Sequence, residues 1–341
     1  MISGPPKKKA AQLKAKKPTE EEQASNEDVK QAPDEAEAED PQKEDKKEDT
    51  KPAAEQNSSK KRKHAPTKSE QPSKASRKSG RGGTKSQPTH EQLLNYLLSS
   101  EAEELCRPDD ESQDLKSRPK SFRTYSTAVM NPFEELLCAV ILSRPISHML
   151  GLRSIRTLLN DPYNFTSAKA VKDAGEEKRL QALYDAKTQH NRKTAEQIGG
   201  LAEVVLEQFT SSGDAKGEKL GKLMDGKDVD EALKGLKDGI KGLGGTGLDI
   251  FLRRVQWLWT EGFPFVDGRT GLALKSFGLP QEAEELEKVI EENWKGLNTK
   301  GLAGKDENEK KRRAFVVVLE RVTGANLEGK IDEAVQAAAA L

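Results

Sequence analysis

The chain has 341 residues with 57 basic and 57 acidic side chains, so its formal net charge is zero. Two cysteines, Cys106 and Cys138, exclude a disulfide framework and a four-cysteine metal cluster. The longest apolar run, residues 136–142, is far too short to span a bilayer, and the N-terminus lacks an apolar signal core, so neither membrane insertion nor secretion is expected.

Zero net charge hides three zones. Residues 1–56 hold 11 Lys/Arg against 15 Asp/Glu, a net of −4. Residues 57–88 hold 10 Lys/Arg against the single acid Glu70, a net of +9, and the remainder carries 36 against 41, a net of −5. The first 88 residues contain no Phe, Tyr or Trp, and their branched aliphatics are Ile2, Leu13 and Val29 alone. Such a segment buries too little apolar surface to offset the entropy of ordering it, which predicts a disordered charged tail over 1–88. Within it, Lys60, Lys61, Arg62 and Lys63 form a basic run of the nuclear-localisation type and point to the nucleus. Residues 77–83 add a Gly-rich basic arm suited to nucleic-acid backbone through counterion release. Residues 89–341 carry all the aromatics and are long enough for one large helical domain or two lobes.

From His90 the pattern turns helical. Leu93, Leu94, Leu97 and Leu98 share one face of a helix over 91–99, while residues 102–130 read as irregular. Asn131-Pro132-Phe133-Glu134 combines an N-cap, a first-turn proline and a third-position acid. Phe133, Leu136, Leu137, Val140 and Ile141 then recur at the spacing of a buried amphipathic helix, with Cys138 as a buried thiol. Further helices are predicted over 147–159, 167–173, 176–189 and 193–209, followed by a Gly/Lys-rich loop over 211–227. Asp228 caps a helix ending near Lys237. A glycine hairpin follows, and a helix over 248–260 turns Leu248, Phe251, Leu252, Val255 and Trp259 inward. Trp257 and Trp259 read as core. The last helices fall at 268–277, 281–293, 308–322 and 331–340, and with no alternating strand in view the fold class is all-α.

Two features could carry chemistry. The hairpin glycines Gly242 and Gly244 allow positive φ and close backbone approach, so the turn is either an ordinary connection or a cradle aiming helix N–H groups at a phosphate. Asp267, at the start of a helix, is either an N-cap or a carboxylate facing a developing oxocarbenium ion at a sugar C1′.

In their order along the chain, four motifs together resemble the helix-hairpin-helix DNA glycosylase superfamily, in particular its endonuclease III branch. They are the 131–143 helix, the Asn191-to-Ile198 helix start, the hairpin Ile240-Lys241-Gly242-Leu243-Gly244, and Val266-Asp267 continuing to Phe277-Gly278-Leu279. The likeness covers residues 128–295, and the helices after Leu297 lie outside it. It implies a two-lobed helical glycosylase-like fold with a helix-hairpin-helix, and a nuclear base-excision repair enzyme acting on double-stranded DNA as a monomer. It implies Asp267 as the catalytic carboxylate, stabilising the sugar cation and orienting water. It assigns DNA backbone contact to Lys241, Gly242, Leu243, Gly244 and Gly245, with Arg144 and Lys193 as further contacts.

The departures are equally specific. Thr246 stands where bifunctional members carry the nucleophilic lysine, and threonine cannot form the Schiff base of a lyase step. The cysteines of the family's iron–sulfur cluster are missing, so neither a metal nor a cofactor is expected. Arg144-Pro145 replaces the residue that fills the gap left by a flipped base, Gly268-Arg269 replaces the Thr-His after the acid, and Lys241 replaces the hairpin proline. The resemblance therefore implies a monofunctional glycosylase. The alternatives are a catalytically inactive helix-hairpin-helix DNA-binding protein and a helical protein-interaction module. A location of Asp267 on an outer surface would favour the last.

Overall fold

A computed structural model describes residues 87–341. The basic run at residues 60–63 and all of the expected disordered tail before residue 87 fall outside the described residues. Thirteen α-helices and no strand occur among the described residues, and none of these helices is long and apolar enough to cross a membrane.

Two hydrophobic cores organise the helices. The first is built from a continuous stretch of chain. It comprises α4 (Pro132–Leu142), α5 (His148–Leu159), α6 (Ala168–Asp185), α7 (Asn191–Val204), α8 (Val229–Gly239) and α9 (Gly245–Val255). The second joins the two ends of that stretch. Here α1 (His90–Leu97) and α2 (Ser100–Leu105) pack with α10 (Gly268–Phe277), α11 (Ala283–Asn293), α12 (Glu307–Leu327) and α13 (Ile331–Ala338).

Helix α4 is the centre of the first core, and its sequence explains why. Asn131 accepts from the Glu134 amide at 2.9 Å while Glu134 accepts from the Asn131 amide at 2.9 Å, a reciprocal cap that satisfies both otherwise orphaned donors. Every residue from Pro132 to Ile141 is buried. Burial on all sides includes Glu134 and Glu135, which is tolerable only because each meets a guanidinium: Arg123 at 2.6 Å and Arg254 at 2.8 Å. Cys138 is buried, as expected, and so is Cys106.

The helical expectations at 167–173 and 176–189 correspond to the two halves of α6, broken at Gly175, whose φ of 73° and ψ of 172° are incompatible with a helix. Helix α7 continues through one wider π-helical turn, Val205–Phe209, so its C-terminal limit matches expectation. Trp257 is buried and Trp259 packs against the first core.

Residues 102–130 are corrected. They contain the end of α2 and all of α3 (Asp109–Ser117), not an irregular segment. Helix α3 has almost no apolar face to detect. It is held instead by Arg156 of α5, a buried cation that meets Asp110 at 2.7 Å, Glu111 at 3.3 Å and Asp114 at 2.9 Å. Carboxylates three and four positions apart share a helical side, so one guanidinium can gather them all. Helix α12 also runs past its expected end at Val322. Gly324 allows this, since a Cβ there would press on the Cys106 carbonyl.

Candidate functional site

The seam between the two cores opens into a cleft of about 710 Å³, within the range of roughly 300–1,000 Å³ typical of sites that enclose a small organic group. One wall comes from the first core: Tyr125, the end of α4, the start of α5, and Thr246, Asp249, Ile250 and Arg253 of α9. The other comes from the second core: Glu103 of α2, the start of α10 with Asp267, and Glu320, Arg321 and Thr323 of α12.

Asp267 caps α10, as one of the two sequence readings held, and it also lines the cleft, as the other required. Its Oδ1 accepts from the amides of Arg269 at 3.1 Å and Thr270 at 3.0 Å. Its Oδ2 accepts from Arg253 Nη1 at 2.8 Å and from the Thr270 hydroxyl at 2.7 Å. Four donors fill the four lone-pair positions of the carboxylate. Because Thr270 donates to Asp267, the Thr323 hydroxyl 3.1 Å away must donate to Thr270. Burial pushes the Asp267 carboxyl upward, but the Arg253 charge and the Thr270 hydrogen bonds outweigh it and hold the group below the ordinary carboxylate range.

Arg253 belongs to a longer chain of alternating charges. Its Nε donates to Glu320 Oε1 at 2.7 Å; Glu320 Oε2 lies 3.5 Å from Arg254 Nη1; Arg254 Nε donates to Glu135 at 2.8 Å. The Arg254 guanidinium also stacks 4.2 Å above the Tyr125 ring. The chain links α10, α9, α12 and α4, and so fixes one wall of the cleft against the other. Arg253, Arg254, Glu320 and Glu135 were missed at the sequence level. The available signal was charge inside apolar helices, which demands a buried partner.

The hairpin is the second component. Ile240 and Leu243 are buried and anchor it to the first core; Leu243, expected at a DNA interface, therefore directs its side chain inward. Lys241, Gly242, Gly244 and Gly245 are exposed. Gly242 has a φ of +87°, and its α-carbon faces the Gln197 side chain. Gln197 donates to the Lys241 carbonyl at 3.2 Å and accepts from Arg144. Arg144 is thus half-buried and spans α4 to α7 beneath the turn, while Lys193, exposed, sits one helical turn before Gln197 on α7. No side chain caps α9, and among the described residues its first amides have no protein acceptor.

Thr246 lines the cleft and Lys241 does not; among the described residues no lysine lines it. His148, at the start of α5, also faces the cleft, and burial lowers its pKa. Asp249 is shifted the other way: burial raises its carboxyl pKa, and the nearby Asp267 charge adds to the rise.

No protein-family model, curated protein or solved structure matches this chain.

Proposed function

We propose that this protein is a monofunctional DNA N-glycosylase that hydrolyses the bond between a damaged base and its deoxyribose. One observation carries the reading: the acid Asp267 from one lobe and Thr246, at the start of the hairpin helix of the other, line the same cleft. A base within a duplex is inaccessible, so the target nucleotide must be turned out of the stack into such an enclosure. The exposed hairpin and the uncapped start of α9 supply outward amides for a backbone phosphate beside the cleft mouth. Lys193 and Lys241 place positive charge near the same turn.

In the cleft, departure of the base leaves an electron-deficient sugar. Asp267 remains ionised at neutral pH, and a carboxylate in a low-dielectric wall stabilises the cation. With no lysine lining the cleft, a Schiff base to C1′ has no nearby amine, which favours base release without strand cleavage. The basic run Lys60-Lys61-Arg62-Lys63 supports a nuclear setting.

A second reading, a helix-hairpin-helix protein that binds duplex DNA without chemistry, is favoured by the four filled acceptor positions of Asp267 and its pairing with Arg253. Duplex oligonucleotides bearing single oxidised, alkylated or deaminated bases separate the two. Alkali-dependent strand breaks at one lesion, lost by about a hundredfold or more in Asp267→Asn, are expected for the glycosylase. Salt-sensitive duplex binding with no base release from any lesion would leave the binding protein.

A further inference from the structure

We propose that Asp249 is the general base that activates water in this cleft. The inference rests on the glycosylase reading and assigns a role that Asp267 is poorly placed to fill.

Four carboxylates line the cleft: Glu103, Asp249, Asp267 and Glu320. Three are committed to guanidinium groups. Glu103 is paired with Arg107 at 3.4 Å and Arg321 at 2.8 Å, and Glu320 with Arg253 at 2.7 Å and Arg254 at 3.5 Å. Asp267 is paired with Arg253 and holds three further donors. A carboxylate so bonded can take a proton from water only by giving up one of those bonds. Asp249 is exposed to the cleft and makes no side-chain hydrogen bond or ion pair among the described residues. It lies one turn beyond Thr246 on α9, so its position is fixed by a helix rather than a loop. Burial and the Asp267 charge both make it a stronger base than an ordinary aspartate.

The step balances without a cofactor. The C1′–N bond breaks and its electron pair leaves with the base nitrogen, giving a sugar cation. Water oxygen bonds C1′ as one water proton passes to Asp249. That proton then leaves Asp249 for the departed base, directly or through solvent. The products are the free base and an abasic site. Asp249 moves the proton while Asp267 holds its fixed negative charge against the developing cation.

The test uses the full chain and a panel of duplexes, each with one lesion: uracil, thymine opposite guanine, 8-oxoguanine, ethenoadenine or 5-hydroxyuracil. Single-turnover base release is measured beside duplex affinity. Asp249→Asn is expected to slow release by about 10²- to 10⁴-fold, with affinity for the same duplex held within about threefold, and Asp249→Glu to restore part of the rate. Because Asp249 has no side-chain partner among the described residues and its charge is disfavoured there, the Asn variant is expected to melt no lower than the wild type, which separates chemistry from folding. Release from Asp249→Asn at the wild-type rate would overturn the assignment and leave the glycosylase reading standing. So would a loss confined to His148→Gln, or a parallel loss of rate and affinity in Asp249→Asn. A wild-type protein that releases no base from any duplex would overturn both.

Discussion

Arg253 and Arg254 are neighbours in sequence, both buried and both ion-paired, but only Arg253 lines the cleft, and the contrast separates what holds this fold from what the cleft can use. Arg254 turns into the first core, where Glu135 is fully buried and both groups keep an atom without a partner: Glu135 Oε1 and Arg254 Nη2. Arg253 turns to the cleft, where every acceptor of its partner Asp267 is filled. The interior pair is a costly way to join α4 to α9. The cleft pair, itself buried, fixes a charged group at a defined place in the cleft wall. Glu320 joins the two, so disturbance at one end is expected to be felt at the other.

The largest effect is expected inside. Glu135→Ala leaves Arg254 buried with only the more distant Glu320, and should cost about 3–5 kcal/mol in chemical denaturation. Replacing both partners with apolar groups, Glu135→Leu with Arg254→Met, removes the two orphaned atoms as well, and is expected to recover most of that loss. A double variant no more stable than Glu135→Ala would show that the interior pair contributes net stability, and the contrast with the cleft end would fail.

The cleft end should reveal itself through pH. The folded-state pKa of Asp267 is depressed, and so is that of Glu320, where Arg253 and Arg254 overcome burial. For such groups the stabilisation is complete above the unfolded carboxylate pKa and is lost as pH falls through the lower folded value. Thermal stability is therefore expected to decline below the ordinary carboxylate range. Asp267→Asn should flatten that decline, because Asn keeps the helix cap but does not titrate. The same substitution removes a negative charge from beside Asp249 and should lower the Asp249 pKa, measured by carboxyl carbon-13 shifts. An unchanged Asp249 titration would mean that the two carboxylates do not sense each other.

These contrasts also explain what the sequence could disclose. Helix α4, its cap and its apolar spacing are local, so residues 131–142 contain all that is needed to read them. The cap role of Asp267 is local in the same way. The Arg253–Asp267 pair joins residues 14 apart across a loop, and Arg254–Glu135 joins residues 119 apart, distances at which no periodicity helps. Helix α3 was invisible because its adhesion is ionic rather than apolar, and the second core because its halves come from opposite ends of the described chain. The cleft between the cores follows from that closure, so its membership, Asp249 included, could be found only in three dimensions.

The smallest effect tests the hairpin, where two glycines four-square to the same turn differ in their reasons. Gly242 has a left-handed φ of +87°, and a side chain there would strike Gln197, which steadies the Lys241 carbonyl. Gly242→Ala is expected to cost about 1–2 kcal/mol in folding from the backbone conformation alone. Gly244 has an ordinary extended φ of −101° with open space beside it, so Gly244→Ala should leave the melting temperature unchanged. If the turn approaches a phosphate, the added methyl stands between the α9 amides and the duplex. Gly244→Ala should then weaken duplex binding severalfold in fluorescence anisotropy at fixed salt, while the folded protein is intact. Equal affinity for the wild type and Gly244→Ala would mean that this turn does not meet the DNA backbone.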